Sequence, residues 1–315
     1  MSQVDASTRT EAPVHALRAP ADTPASGTPA SGTIEALQAE LSRLGRVVVA
    51  FSGGADSAFL ARVAHDLLGP DSVLCVTAVS PSLAPEEAAD CRALAAEWGL
   101  RWAAVPTAEM DDPAYVANGA DRCAHCKTAL MDVVGPLAGS EGATVVLGVN
   151  LDDLGDHRPG QAAAAARGAR FPLVDAGFTK ASVREWSRRI GLRTWDKPAA
   201  ACLASRVAYG TPVTVGTLGS VARAETALRR LGFTELRVRH HGPVARIEVP
   251  EAALAAVVER RDLVVDAVRS AGYDFVALDL EGLRSGSLNR VLGDPADGSA
   301  VPLAGATSVA GANGR

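Results

Sequence analysis

The chain has 315 residues, with 31 lysines and arginines against 36 aspartates and glutamates, for a formal net charge of −5. That balance argues against a nucleic-acid partner held mainly by charge, because such domains carry a basic face. Hydrophobic residues make up 48% and aromatics only 4%, so the core must be built from Ala, Val and Leu, as where helices pack closely on a sheet.

Residues 1–32 are rich in Ala, Pro, Ser and Thr and repeat PASGT at 24–28 and 29–33. They carry no core-forming pattern and read as a disordered tail, as do residues 293–315. No apolar run reaches the roughly 18–20 residues of a membrane span. The N-terminus lacks the basic start and apolar stretch of a signal peptide. The expected setting is the cytoplasm, without a membrane partner.

Residues 33–203 alternate strand-like and helix-like runs. Arg46–Phe51 is a β-branched strand, followed by a helix from Ala55 to Leu68 that Gly69-Pro70 ends. Ser72–Val79 is the next strand, Pro85–Trp98 an amphipathic helix stopped at Gly99, Arg101–Val105 a third strand and Ala143–Val149 a fourth. Helical segments are expected at 124–135 and 179–190. Continuous apolar strands separated by helices predict a doubly wound parallel sheet covered on both faces. Residues 204–292 change rhythm. A helix at 216–231 precedes two alternating strands, Glu235–His240 and Ala245–Val249, then one helix from Pro250 to Ser270 and a last strand at Tyr273–Leu280. That pattern predicts a small α+β domain.

The strongest motif is VVVAF-SGGADS-AFLARVAHDL at 47–67. A buried strand enters a Gly-rich turn that opens a helix. Gly53 and Gly54 let main-chain N–H groups approach a phosphate, the helix start adds donors and the positive end of its dipole, and Ser52 and Ser57 add hydroxyls. The turn follows the carboxyl end of the first strand, where ligands of open α/β sheets sit. Asp56 would repel a polyanion unless a cation lay between, and Mg²⁺ on the pyrophosphate of ATP is the natural candidate. The plainer alternative is that Ser52 and Asp56 cap a helix. The loop resembles the SGGxDS signature of the PP-loop ATP pyrophosphatases and lacks the lysine of a Walker loop. The resemblance implies cleavage to AMP and pyrophosphate through an adenylate.

Five cysteines are present, and in the cytoplasm they should be reduced. Cys75 lies in an apolar strand and Cys91 on an amphipathic helix, both expected in the core. Cys123 and Cys126 form a C-x-x-C beside Arg122 and Lys127 near a predicted helix start. Cations and a helix N-terminus both favour thiolate. Cys202 lies in KPAAACLASR at 197–206, at the join of the two regions. Three readings stand: unrelated thiols, a redox pair plus a separate nucleophile, or three ligands of an iron–sulfur cluster with one iron open. Zinc is disfavoured because a closed site wants a fourth ligand. His125 is placed awkwardly for that role and reads as a helix-surface residue.

In GVNLDDLGDHRPG at 148–160, Asp152, Asp153 and Asp156 form an acidic run with Arg158 after it. On composition alone this is a solvated turn. In the second region, alternation puts Arg237, Arg239 and His241 on one strand face and Leu236 and Val238 on the core face. Arg246 lies on the partner strand. Converging guanidinia, with Arg206, would suit a substrate bearing a phosphate and carboxylates. Glu225 reads, by pattern, as a solvated helix residue.

Taken together, SGGADS, DRCAHCK at 121–127, GVNLDDLGDHRPG, KPAAACLASR and ELRVRHHGPVARIE at 235–248 resemble the LarE family, PP-loop sulfur transferases of nickel-pincer nucleotide synthesis. The resemblance spans the folded region. It implies ATP-dependent conversion of carboxylates of pyridinium-3,5-biscarboxylic acid mononucleotide to thiocarboxylates. It further implies nucleotide or substrate roles for Asp156 and Arg158, an acid/base or magnesium-ligand role for Glu225, and a homo-oligomer, by resemblance a hexamer. Cys202 matches the cysteine that gives up its own sulfur in sacrificial members. Chains that also have cysteines at the positions of Cys123 and Cys126 are thought to hold a [4Fe-4S] cluster, and this chain has all three. Rival readings are a PP-loop tRNA thiolase, an amide-forming synthetase and, outside enzymology, a nucleotide-binding regulatory module.

Overall fold

The computed structural model describes residues 32–155, 159–198 and 201–284. The expectations for the terminal tails, and for Asp156 and Arg158, lie outside the described residues.

The apolar runs form strands β1 (Val47–Ala50), β2 (Val73–Val79), β3 (Trp102–Pro106) and β4 (Thr144–Leu147). They lie parallel in the order β3-β2-β1-β4, with Val49 opposite both Cys75 and Val146. Because successive side chains alternate across a strand, the sheet buries two faces. Val47, Val49 and Cys75 join one apolar cluster with α1 (Ile34–Leu44), α2 (Ala55–Leu68), α3 (Pro85–Trp98) and residues of the later helix Lys180–Arg189. Val48, Leu74 and Val76 join the other with α4 (Arg122–Glu141) and α5 (Pro159–Ala166). The doubly wound reading holds, and Cys75 and Cys91 are core residues as expected.

Strand order reverses between β1 and β4. The chain moves outward through β2 and β3 and then returns to the far side of β1. Such a switch point opens a crevice at the carboxyl ends of the two strands.

Two helices depart from expectation. The helix α1 was not foreseen beside the Ser/Thr/Pro-rich tail. It forms because Ile34, Leu37 and Leu41 make one buried stripe and Thr33 accepts the Ala36 N–H at 3.2 Å. The helix expected at 124–135 starts at Arg122 and continues through Pro136 to Glu141. Its anchors Leu130, Met131, Val134 and Ala138 are buried on the sheet, and that packing outweighs the proline's local cost.

The second region has its own apolar cluster. Helix α6 (Lys180–Arg189) closes the first region and α7 (Val215–Arg230) opens the second. Strands β5 (Arg237–His241) and β6 (Val244–Glu248) form the expected hairpin across Gly242 and Pro243, and β7 (Phe275–Leu278) adds parallel to β6. The single helix expected after Pro250 is divided into a 3₁₀ turn, α8 (Leu254–Glu259) and α9 (Arg261–Ser270), with the break at Arg260. The Arg260 guanidinium leaves the helix line to meet the Leu231 carbonyl and the Phe233 ring, 5.3 Å from its centroid. Among the described residues no helix is long and apolar enough to cross a membrane.

Candidate active site

The crevice between β1 and β4 is lined by the two glycine-bearing motifs. Gly53 takes φ +68, and a Cβ there would stand 2.9 Å from the Cys91 sulfur. The turn therefore lies directly on α3, and only glycine fits. Gly54 is the N-cap of α2, and no side chain caps that helix. The alternative in which Ser52 and Asp56 serve as caps is overturned. Instead the Ser52 and Ser57 hydroxyls lie 3.1 Å apart, and Ser57 donates to the Gly54 carbonyl at 3.2 Å.

Gly148, just past β4, is pressed against the start of α2. A Cβ there would lie 2.7 Å from the Ser57 nitrogen and 2.9 Å from the Asp56 carbonyl carbon. Two residues on, fully buried Asn150 donates its amide N–H to Asp56 Oδ1 at 3.0 Å. The Asn150 side-chain oxygen accepts the Asp152 and Asp153 N–H groups, which is an Asx turn. Asp153 is buried and pairs with Lys180 at 3.1 Å. The reading of this motif as a solvated turn is thus corrected at Asn150 and Asp153. Burial lifts the Asp56 carboxyl above the usual carboxylate range despite the Asn150 hydrogen bond, and the Asp153 charge adds to the lift. Asp56 stands in the first turn of α2, and its carboxylate would hold Mg²⁺ there.

The second constellation surrounds the 3₁₀ turn Leu203–Arg206. Arginines from three elements take its backbone carbonyls. Arg206 Nη1 donates to Ala201 O at 2.5 Å and Cys202 O at 3.2 Å. Arg122, at the start of α4, donates to Ala204 O at 2.9 Å. Arg239, on β5, donates to Ser205 O at 2.8 Å. Buried carboxylates oppose two of these cations: Arg206 meets Glu225 at 2.9 Å, and Arg239 meets Glu248 at 2.8 Å. Arg246 joins Glu248 at 3.1 Å and Asp279 at 3.4 Å. Glu225 is fully buried, also pairs with Arg229, and accepts the Val238 N–H at 3.0 Å. It is not the solvated residue its pattern suggested.

The four arginines singled out from the sequence therefore occupy different positions. Arg206, Arg239 and Arg246 lie in ion pairs, and the first two also hold main chain. Arg239 is buried with Val238 rather than alternating out to solvent. Arg237 is half-buried, donates to the Arg284 carbonyl at 3.2 Å, and has no ion pair among the described residues. Burial and the nearby Arg239 and Arg206 charges lower its pKa from the ordinary arginine value.

Cys123 and Cys202 are exposed, and Cys126 is partly buried against the cluster that contains Leu203, Ala204 and Tyr115. Arg122, next to Cys123, donates to the Ala204 carbonyl two residues past Cys202, so the start of α4 and the Cys202 segment are joined. Burial pushes the Cys126 thiol up to about 12, although Lys127 pulls the other way. The thiolate expected from the helix start and flanking cations is corrected there, because desolvation of the anion outweighs both. Arg122 is buried with no ion pair among the described residues. It donates to Asn118 Oδ1 at 2.5 Å and lies 5.7 Å from the Tyr209 ring centroid. Gly160 lets α5 cross at this point, since a Cβ would lie 2.7 Å from the Cys123 carbonyl oxygen. His125 is partly exposed and is taken up by Asp112 at 2.7 Å. No three His, Cys, Asp or Glu side chains among the described residues stand close enough to hold a metal ion.

Sequence reasoning missed Asn150, Gly148 and Lys197. The first two could have been signalled only by their place after a strand. Lys197 Nζ reaches the Gly53 carbonyl, as described below, which no local pattern foretells.

A family profile described as NAD synthase matches residues 34–124. An uncharacterized protein of Synechocystis is 46% identical over 262 residues, covering 82% of this chain and 97% of the relative. The pyridinium-3,5-bisthiocarboxylic acid mononucleotide synthase of Lactiplantibacillus plantarum is 38% identical over 257 residues, covering 81% of this chain and 93% of that enzyme. An uncharacterized protein of Methanocaldococcus jannaschii is 22% identical over 241 residues.

Proposed function

Because the chain belongs to the LarE family of PP-loop proteins, we propose that it uses ATP to convert carboxylates of pyridinium-3,5-biscarboxylic acid mononucleotide to thiocarboxylates. It is an ATP-dependent sulfurtransferase. The observation that supports the residue-level reading is the pairing of an uncapped helix start at the strand-order switch with a C-x-x-C helix start that packs on the Cys202 segment, Cys126 against Leu203 and Ala204 and Arg122 on the Ala204 carbonyl.

ATP binds with its phosphates on Ser52, Gly53, Gly54 and Ser57, and Asp56 takes Mg²⁺, with Asp156 and Arg158 completing the nucleotide site. A substrate carboxylate oxygen attacks the α-phosphorus, and pyrophosphate leaves with the bonding electron pair. Positioning and charge neutralisation supply most of the rate. Arg237 is the first choice for a substrate anion. Arg206, Arg239 and Arg246 shape the floor beneath it through Glu225 and Glu248. A sulfur nucleophile then attacks the acyl carbon, and AMP leaves.

Cys123, Cys126 and Cys202 are the thiols that would hold a [4Fe-4S] cluster by family resemblance; as described they do not converge on one metal position, so the cluster rests on the resemblance and no step is routed through it. When bound, such a cluster supplies an open iron that can carry an extra sulfide. A cytoplasmic setting and a homo-oligomer belong to the same proposal.

The test is anaerobic incubation with ATP, Mg²⁺ and the dicarboxylate. Pyrophosphate release that depends on the dicarboxylate, with thiocarboxylate detected by mass, is the expected result. Absence of both under strict anaerobiosis overturns the reading. Iron and sulfide assay of the wild type against Cys123→Ala tests the cluster separately.

A further inference from the structure

Lys197 stands five residues before Cys202 in the chain, and its ammonium ends at the nucleotide corner. Its side chain is 18% exposed. It donates to Gly53 O at 3.1 Å, Glu87 Oε2 at 2.8 Å and Asp90 Oδ2 at 2.7 Å. A lysine has three N–H donors, and each has an acceptor. Glu87 and Asp90 lie on α3, the helix on which Gly53 rests through Cys91. The far end of the cysteine segment is tied as well, since the Leu203 N–H donates to Ser82 O at 2.8 Å.

We propose that Lys197 is a positioning residue that holds the phosphate turn and the Cys202 segment in register, so that the adenylate made on one meets the sulfur carried by the other. This rests on the sulfurtransferase reading above. Two physical points favour it over a plain surface ion pair. The acceptor at Gly53 is a main-chain carbonyl of the phosphate turn itself, and a cation on that carbonyl polarises the same peptide's N–H, contributed by Gly54, toward an anion. The pair of carboxylates also fixes the ammonium's direction. Burial works against the charge, yet Asp90 and Glu87 hold the ammonium above its ordinary range. It stays cationic and transfers no proton.

Register matters because the adenylate has two fates. In both, the acyl C–O bond to AMP breaks and AMP takes the electron pair. Attack by sulfur forms the C–S bond of product; where the sulfur is that of Cys202, loss of the Cα proton then breaks its Cβ–S bond, leaving dehydroalanine and releasing the thiocarboxylate. Attack by water forms a C–O bond, loses a proton to solvent and returns the carboxylate. A displaced cysteine segment admits water without preventing adenylation.

The experiment measures pyrophosphate released per thiocarboxylate formed, anaerobically, with the full-length protein in excess over the dicarboxylate and ATP. Lys197→Met is expected to raise that ratio about tenfold or more, in line with the penalty of losing a positioned reactant. Lys197→Arg, which keeps charge and reach, should recover part of the coupling. Glu87→Gln, which weakens the same anchor from the other side, should give a smaller rise and covers the case in which Lys197→Met does not fold. Arg193→Met, on the exposed edge of the same cluster, should leave the ratio at the wild-type value. If Lys197→Met or Glu87→Gln lowers pyrophosphate and thiocarboxylate in proportion, with an unchanged ratio, the register role is overturned and the sulfurtransferase reading stands. If wild type releases no pyrophosphate with this substrate, both fall.

Discussion

The nucleotide corner and the cysteine segment are built from opposite materials. The corner at residues 52–57 and 148–150 is main chain and small side chains. Gly53 sits on Cys91, Gly148 on Ser57, and an uncapped helix start opens between them. The segment at residues 201–206 is held by long charged side chains. Its carbonyls are taken by Arg206, Arg122 and Arg239, and the guanidinia of Arg206 and Arg239 stand on buried Glu225 and Glu248. A site that grips phosphate needs close backbone approach, whereas a reactive sulfur must be held in place at an exposed position. Buried ion pairs do the second task at a high desolvation cost, and they fail abruptly when one partner is lost.

That contrast can be broken most forcefully from the charged side. Arg206→Met leaves Glu225 buried with Arg229 and one backbone N–H, and it removes the donor to the Ala201 carbonyl. A loss of about 3 kcal/mol is expected, read as a lower midpoint in denaturant unfolding. A change under half that size would mean the network is hydrated in solution. On the backbone side, Gly148→Ala forces a Cβ against main chain that cannot rotate away. A destabilisation of about 1–3 kcal/mol should accompany a raised KM for ATP, with stability and kinetics measured on the same preparation.

Asp56→Asn separates stability from function. Its carboxyl is shifted upward in the folded state, so ionising it disfavours folding. That penalty is absent below the unfolded value and complete once pH exceeds the folded one. The variant should therefore be at least as stable as wild type at pH 8, with any advantage vanishing as pH falls through the carboxylate range. Its pyrophosphate release should drop about 10²–10³-fold. A variant that is both active and destabilised would sink the cation-holding role. Thiol mapping offers a milder test. Partly buried Cys126 should alkylate about tenfold more slowly than Cys123 and Cys202 at pH 8 in metal-free protein, as followed by peptide mass spectrometry. Equal rates would show that the α4 start opens in solution. Smallest of all, Arg193→Met removes exposed pairs with Asp90 and Glu97 and should cost at most about 0.5 kcal/mol.

Much of this protein was written locally. Strand–turn–helix order at 47–67 specifies both the first βα unit and its anion-binding turn, because hydrophobic period and glycine conformation act within a few residues. The four apolar runs likewise announce a parallel sheet, and Cys75 announces itself as core and Cys91 as structural. The C-x-x-C at a helix start and the clustering of arginines in β5 were also visible as composition.

What the sequence left open was decided by packing at long range. Whether Arg206 and Arg239 face a ligand or a buried carboxylate depends on where Glu225 and Glu248 come to rest, and those partners lie on other elements. Burial, outweighing Lys127, pushes the Cys126 thiol upward, against the thiolate its local sequence suggests. The grip of Lys197 on Gly53 joins residues far apart in the chain. Charge interactions act through space and through the local dielectric, so only the folded chain fixes their sign and strength, while turn and strand preferences are settled by each residue and its neighbours.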